Sequence, residues 1–295
     1  MEELNSETKD KYQQTIEVAQ SKVLPPEESV LIRNKSERFF ELTNVDRALA
    51  FYGSTHSNDS GNPMFEEIRQ KFTDFKPDIV LVEGVGDFEK RKKRIIAEMS
   101  KVNDKQVINN NSEPGFVMKL AVDNNVDFDC PEPEWSNEIM SLEVSGFSKE
   151  SIFAQQFFQR VRQYCREIRD GVKFDFNEEM NDFVGRFQMV TNWPDFDYSI
   201  NHADEISKKT WGRGIDVADL SFYDKMVDPL PWPGRPFQGT EIKKAAREST
   251  ILRDKNIVAR IAETLKKHKR IFVVYGKDHA VSQKPALEYL FANLE

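Results

Sequence analysis

Apolar positions along the chain alternate between short continuous runs and longer helical stripes. The run DRALAFYGS (46–54) is apolar and aromatic and ends on Gly53, which predicts a buried strand followed by a tight turn. Asn62-Pro63 then opens an amphipathic helix with Phe65, Ile68 and Phe72 on one stripe. The unbroken Ile79-Val80-Leu81-Val82 reads as a strand covered on both faces. A basic helix is predicted from Phe88 to Lys101, then a helix capped by Ser112 through Phe116, Met118 and Leu120, then the short strand VDFDC at 126–130. After the middle of the chain the order resumes with a long helix from about Glu241 to Lys267, the strand and turn RIFVVYGKDHA, and a closing helix around Leu287, Tyr289 and Phe291. Strands that alternate with helices in this way predict an α/β fold, a mostly parallel central sheet flanked by helices.

Two stretches break the pattern. Residues 1–45 are charged and weakly periodic, with one helix near Thr15 to Lys22 and a Pro25-Pro26 break, and read as an N-terminal arm or cap. Residues 46–295 then form one catalytic-type domain with an insertion at about 140–240. The insertion starts helically: Phe153, Phe157, Val161, Tyr164 and Ile168 share a stripe, and a second helix carries Met180, Phe183, Val184 and Phe187. From Asn192 to Thr240 it is rich in Trp, Pro, Gly and Asp and reads as an irregular excursion of the kind used for lids or binding walls.

Charge narrows the partners. A net charge of −8 and a pI near 5.3 repel phosphate backbones and anionic lipid surfaces, so neither nucleic acid nor a membrane is expected, and a small-molecule or peptide substrate is. The basic string EKRKKR (89–94) is then a solvated helix face. The acidic, polar first residues carry no export signal, and no apolar run is long enough to span a bilayer. Cys130 and Cys165 stand far apart without a CxxC, so both are expected as buried thiols and the location as cytoplasmic. A homodimer is compatible with all of this.

The chemistry is suggested by two strings that echo each other, Gly53-Ser54-Thr55-His56 after AFY and Gly276-Lys277-Asp278-His279 after FVVY. With 13 glycines in 295 residues, two of four histidines would have a glycine three places before them about 1% of the time by chance, so the echo points to function. Glycine is expected to let the chain turn sharply, so that the histidine leans over the strand's end, the rim where ligands bind in open α/β sheets. Glu83 closes DIVLVEG at the same kind of place, and Gly84 after it leaves room for a close approach. Two imidazoles and a carboxylate suit a divalent transition metal such as Mn, Co or Zn, with His56, His279 and Glu83 as ligands and water in an open position. Without a metal, the same groups can move protons near neutral pH. Asp278 and Asp59 could orient the histidines. His202 could be a lid contact but is more simply a solvated loop residue, and His268 suits a helix C-terminus.

The paired GxxH strings, the intervening VLVEG and the arginine-bearing late helix resemble the TraB/Tiki superfamily, which includes the erythromycin esterases and the haem-binding ChaN-like proteins. The likeness runs from about Ala48 to the C-terminus, with the middle poorly matched. It implies an active centre on His56, His279 and Glu83, with a second acidic position at Glu113 in NSEPGFVMKLA and an arginine at Arg253 in ILRDKNIVARIA. Arg253 could hold an oxyanion or a substrate carboxylate, or make a structural pair. The chain departs from the commoner pattern at VDFDCPEPEW, which lacks the arginine that often follows the strand aspartate, and so a role for Asp129 is not supported. Two functions follow as expectations. One is a hydrolase in which a metal-bound or histidine-activated water attacks a peptide, amide or ester bond. The alternative is a protein that binds haem or another small molecule on the same rim without turnover.

Overall fold

A computed structural model describes residues 6–84, 88–169, 171, 173, 175–229 and 239–294. The chain divides into two compact units, one of residues 1–134 and 253–295 and the other of residues 135–252, with the boundary inside one long helix.

The first unit is the α/β body. Among the described residues its sheet has five strands in the order β1-β2-β5-β3-β4. These are β1 (Phe39–Asn44), β2 (Arg47–Ser54), β3 (Ile79–Val82), β4 (Asp127–Asp129) and β5 (Arg270–Gly276). The hairpin β1-β2 is antiparallel, and β2-β5, β5-β3 and β3-β4 are parallel, so the mostly parallel sheet expected from the pattern is present. Strand alternation sorts the side chains into two cores. Ala48, Ala50, Tyr52, Val80, Phe272 and Val274 pack on α3 (Met64–Phe75), α4 (Phe88–Met99) and α5 (Asp104–Asp123). Leu49, Phe51, Leu81, Ile271, Val273 and Tyr275 pack on α1 (Ser6–Gln20), the later turns of α11 (Glu241–Leu265) and α12 (Lys277–Asn293). Being covered on both faces explains why β3 and β5 read as unbroken apolar runs.

Within the stretch read as an arm or cap, the described residues from Ser6 form α1, α2 (Pro26–Ile32) and β1, and Ile16, Ala19, Val23 and Phe40 are buried in the second core. They look polar in sequence because an edge strand with one covered side and a helix with one buried stripe each spend few apolar residues. The helix expected to start at Ser112 is preceded by another from Asp104, which is capped by a reciprocal Asn103–Gln106 pair. The two join at Ser112, whose φ of 54° breaks the helix two residues before Pro114.

The second unit is helical, with α6 (Trp135–Val144), α7 (Lys149–Arg169), α8 (Phe176–Thr191), α9 (Ile200–Trp211), α10 (Leu220–Met226) and the first turns of α11. Phe153, Phe157, Phe158, Phe183 and Phe187 form its centre; Val161, Tyr164 and Met180 of the predicted stripes are buried with them, Phe158 lies outside those stripes, and Ile168, expected on the first, is exposed. The stretch read as irregular contains two further helices. Ser199 caps the start of α9 and Gly212 ends it in the left-handed region, so the TWGRG string is a helix stop. Residues 230–238 of that stretch lie outside the described residues. Among the described residues, no helix is long and apolar enough to cross a membrane.

Candidate functional site

The carboxyl end of every parallel strand delivers a titratable side chain to one rim of the first unit. His56 follows β2, Glu83 follows β3, Glu132 follows β4, and His279 sits in the first turn of the helix after β5. This rim is where open α/β sheets bind ligands. Gly276 lies at the meeting point. A Cβ placed there would stand 3.4 Å from Glu83 Oε2, 3.7 Å from His279 Cδ2 and 3.8 Å from His56 Nε2. The three residues singled out in sequence are therefore together.

His56 is held from behind. Its Nδ1 lies 2.5 Å from Glu113 Oε1, and since a carboxylate only accepts, Nδ1 carries the proton and Nε2 the lone pair of the neutral ring. Glu113 is 1% exposed and also accepts from Ser54 Oγ at 2.9 Å and from Ser112 Oγ. Burial pushes its pKa up, but the hydrogen bond and charge of His56 and the bond from Ser112 bring it below the usual carboxylate range. The break at Ser112 has a use here. It places that hydroxyl, while its proton is on Glu113, to accept from Ser57 N at 3.2 Å, fixing the segment that carries His56. The imidazole itself is 66% exposed, so it can meet a ligand from solvent.

His279 is held differently. Its Nδ1 lies 2.6 Å from Oδ1 of Asp254, a carboxylate that is 2% exposed and also accepts from Ser282 Oγ at 2.5 Å and Gln283 Nε2 at 2.6 Å. His279 Nε2 lies 3.2 Å from Arg253 Nη1 and 3.6 Å from Glu83 Oε1. Burial pushes the pKa of His279 down, and Arg253 does too, but the charge and hydrogen bond of Asp254 together with the charge of Glu83 make the net shift upward. Above that pKa the Nε2 lone pair accepts from Arg253; below it an Nε2 proton faces Glu83.

Arg253 is committed on every side. Nε and Nη2 donate to the two oxygens of Glu132 at 2.6 and 2.5 Å, Nη2 also to Glu83 at 3.0 Å, and Nη1 faces His279. Of the roles open to it from the sequence, the structure favours the pair: it positions two rim carboxylates and a histidine and is not turned out to receive a substrate carboxylate. Burial pushes the Glu83 carboxyl up, but His279, Arg253, His56 and the Gly276 N–H, which donates at 2.7 Å, hold it down at about 2.

These commitments do not fit a metal on His56, His279 and Glu83. The nitrogen of His279 that would face the ion already faces a guanidinium, and Nδ1 serves Asp254. Among the described residues, no group of three His, Cys, Asp or Glu side chains able to hold a metal ion is formed. The same commitments stand against His279 as an iron ligand for haem.

Sequence reasoning missed Glu132, Asp254, Ser54 and Ser112. Glu132 had a signal, since it stands within three residues of a strand end, as the histidines do. The other expectations fall away from the centre. Asp278 pairs with Arg33 at 2.7 Å, Asp59 accepts from the Gly61 N–H at 2.9 Å, and Asp129 lies 3.5 Å from Arg260. His202 is on α9 in the second unit with its ring against Phe153 and Phe196, and His268 follows α11 with its N–H on Thr264 O. Cys130 and Cys165 are both buried free thiols, as expected.

The glycines have other reasons than sharp turns. Neither Gly53 nor Gly276 has a positive φ. A Cβ on Gly53 would stand 3.0 Å from Ala280 Cβ and 3.1 Å from Lys277 Cα, so glycine lets β2 lie against α12, while Gly276 keeps the space between the histidines open. Gly84 does need its freedom: its φ is +78°, and a Cβ there would meet nothing within 4 Å. Compared with protein-family models, curated proteins and solved structures, the chain matches none of them.

Proposed function

We propose that the protein is a hydrolase of the TraB/Tiki and erythromycin-esterase kind, working without a metal, in which His56 activates water against an ester, amide or peptide carbonyl. The observation that carries this reading is the Glu113–His56 pair: a buried carboxylate 2.5 Å from Nδ1, with Nε2 3.8 Å from where a Cβ on Gly276 would stand. A base needs that arrangement, with one nitrogen fixed as donor and the other presented as acceptor. Water held at Nε2 loses its proton to His56 as its oxygen bonds to the carbonyl carbon. Glu113 stabilises the imidazolium so formed. His56 then returns the proton to the leaving group. Glu83, ionised through the whole working range, keeps Arg253 and the Gly276 amide in place. The paired GxxH strings and the α/β architecture support the same reading by resemblance. Two buried thiols suit a reducing compartment, and we place the reaction in the cytoplasm, on a small-molecule or peptide substrate.

The test is a panel of activated esters, amides and short peptides given to the purified protein with and without EDTA. Turnover that resists EDTA and falls by about 10²- to 10⁴-fold in His56→Ala supports the proposal. Turnover abolished by EDTA, turnover equal in the variant, or a folded protein inert to the whole panel would each overturn it.

A further inference from the structure

Residues 20–33 belong to the stretch that reads as an arm or cap in sequence, and in the fold they cross the two helices that carry His279 and its carboxylate. Gln20, the last residue of α1, donates from Nε2 to the Lys255 carbonyl of α11 at 2.9 Å, one residue beyond Asp254. The Leu24 N–H donates to the Ser282 carbonyl of α12 at 2.9 Å, and the hydroxyl of that serine donates in turn to Asp254. Arg33, just past α2, meets Asp278 at 2.7 Å, next to His279 in the chain. Each contact thus falls on or beside a residue that holds the His279 ring.

The segment is anchored and stiff. Ile16, Ala19 and Val23 are buried in the same core as Ala280, Ala286 and Leu287 of α12. Pro25 is extended at φ −67°, ψ 159° and Pro26 opens α2, so two rings fix the backbone between the Leu24 bond and that helix. α12 has reason to be held from outside. Pro285 lies within it and carries no N–H, so the Val281 carbonyl loses the donor four residues on, and the ring crowds that turn. The turns before it bear Asp278, His279, Ser282 and Gln283 and are joined to the rest of the helix by fewer bonds. The Leu24 N–H enters at the very next carbonyl.

We infer that residues 20–33 form a strap that positions His279. By tying α11 to the first turns of α12, the strap keeps Asp254 at 2.6 Å from His279 Nδ1 and so keeps the proton on that nitrogen. Gln20 and Leu24 carry most of the hold, because Arg33 and Asp278 are 31% and 47% exposed and such pairs contribute little. These residues act through Asp254 and the α12 backbone, and are positioning residues. An effect of the strap on turnover rests on the hydrolytic reading, whereas its hold on the ring does not.

The test reads the ring by NMR on the full chain and needs no substrate, so it stands or falls apart from hydrolysis. His279 is 13% exposed, and its Nδ1–H should exchange slowly with water in the native protein. The Leu24 amide, outside any helix, should be protected as well. Gln20→Leu removes one side-chain donor at a half-buried position and should speed exchange of both protons by about fivefold. Gln20→Lys keeps a donor and should stay within about twofold of native. The double change Gln20→Leu/Arg33→Leu should reach about tenfold. The His56 imidazole ¹⁵N shifts should stay native in every variant, because Glu113 holds that ring from the opposite face of the sheet. Unchanged exchange of the His279 Nδ1–H in the double variant, Gln20→Lys equal to Gln20→Leu, or His56 moving together with His279 would each overturn the inference. The last of these is what a general loss of stability produces.

Discussion

Glu113→Gln tests the arrangement of the base without any knowledge of the substrate. The change keeps the shape of the side chain and removes the charge from a carboxylate that is 1% exposed. In the native protein Glu113 accepts from His56 Nδ1 at 2.5 Å, and hydrogen bonds to an ionised partner contribute about 1.5–3 kcal/mol. Because the His56 ring is 66% exposed, water competes and the lower end applies. About 1.4 kcal/mol corresponds to a tenfold preference, so roughly nine in ten neutral His56 rings should carry their proton on Nδ1. In the variant, Ser112 keeps the carboxamide oxygen at the Oε2 position, while Ser54, which shares the Oε1 position with His56, can turn its hydroxyl to Tyr275 O at 3.2 Å, so the carboxamide nitrogen faces His56. An amide N–H donates, so Nδ1 must become the acceptor and the proton moves to Nε2. The preference should invert.

The protein has only four histidines, so long-range ¹H–¹⁵N spectra of the imidazoles can resolve the effect directly. Native His56 should show a protonated Nδ1 and an unprotonated Nε2 above its titration, and the variant the reverse. Any turnover found should fall by roughly 10²- to 10⁴-fold, because the lone pair no longer faces the ligand. Stability gives a second check whose sign is fixed. The folded-state pKa of Glu113 is lowered, so its contribution is present above the ordinary carboxylate range and disappears as pH falls through the folded value. Urea unfolding should separate native and variant most at neutral pH and least in acid. Native His56 protonated on Nε2, or one tautomer in both proteins, would refute the reasoning.

Three further outcomes are expected. Gly276→Ala places a methyl group at ordinary contact distance, 3.4 to 3.8 Å, from Glu83, His279 and His56 on a backbone with φ −52°; it should change stability by less than about 1 kcal/mol while shifting both histidine spectra and abolishing turnover, and unfolding of the variant would count against an open space there. Asp254→Asn removes the charge that raises His279, so the His279 titration measured by NMR should move down. The stability it contributes, present at acid pH and lost as pH rises through the native titration, should shrink, and an unmoved titration would sink the pairing. Glu83→Gln should cost about 3 kcal/mol near neutrality, from a carboxyl held at about 2, and the deficit in urea unfolding should close as pH falls from the ordinary carboxylate value toward 2.

How much of this was readable beforehand follows from where the information sits. An apolar run that ends at a glycine is local, so β2, β3 and β5 and the rim places of His56, Glu83 and His279 could be read from a few consecutive residues. The hairpin strand β1 could not, because one covered side leaves only Phe40 buried and the string FFELTN looks like surface. Glu132 stands just past a strand end as the histidines do, but no glycine marks that end and the strand is only three residues long, too short a signal to mark a rim. Glu113 was reached only through resemblance, and Asp254 not at all, for the same physical reason. Each lies on a helix remote in sequence from the histidine it holds, and the contact exists only when that helix packs on the sheet. Glu113 comes from α5 on one face and Asp254 from α11 on the other. The sheet's rim thus decides where the imidazoles stand, and the two helical layers decide which nitrogen of each carries the proton. That nitrogen is Nδ1 in both; what sets the rings apart is Arg253, 3.2 Å from His279 Nε2, although both arise from the same four-residue pattern.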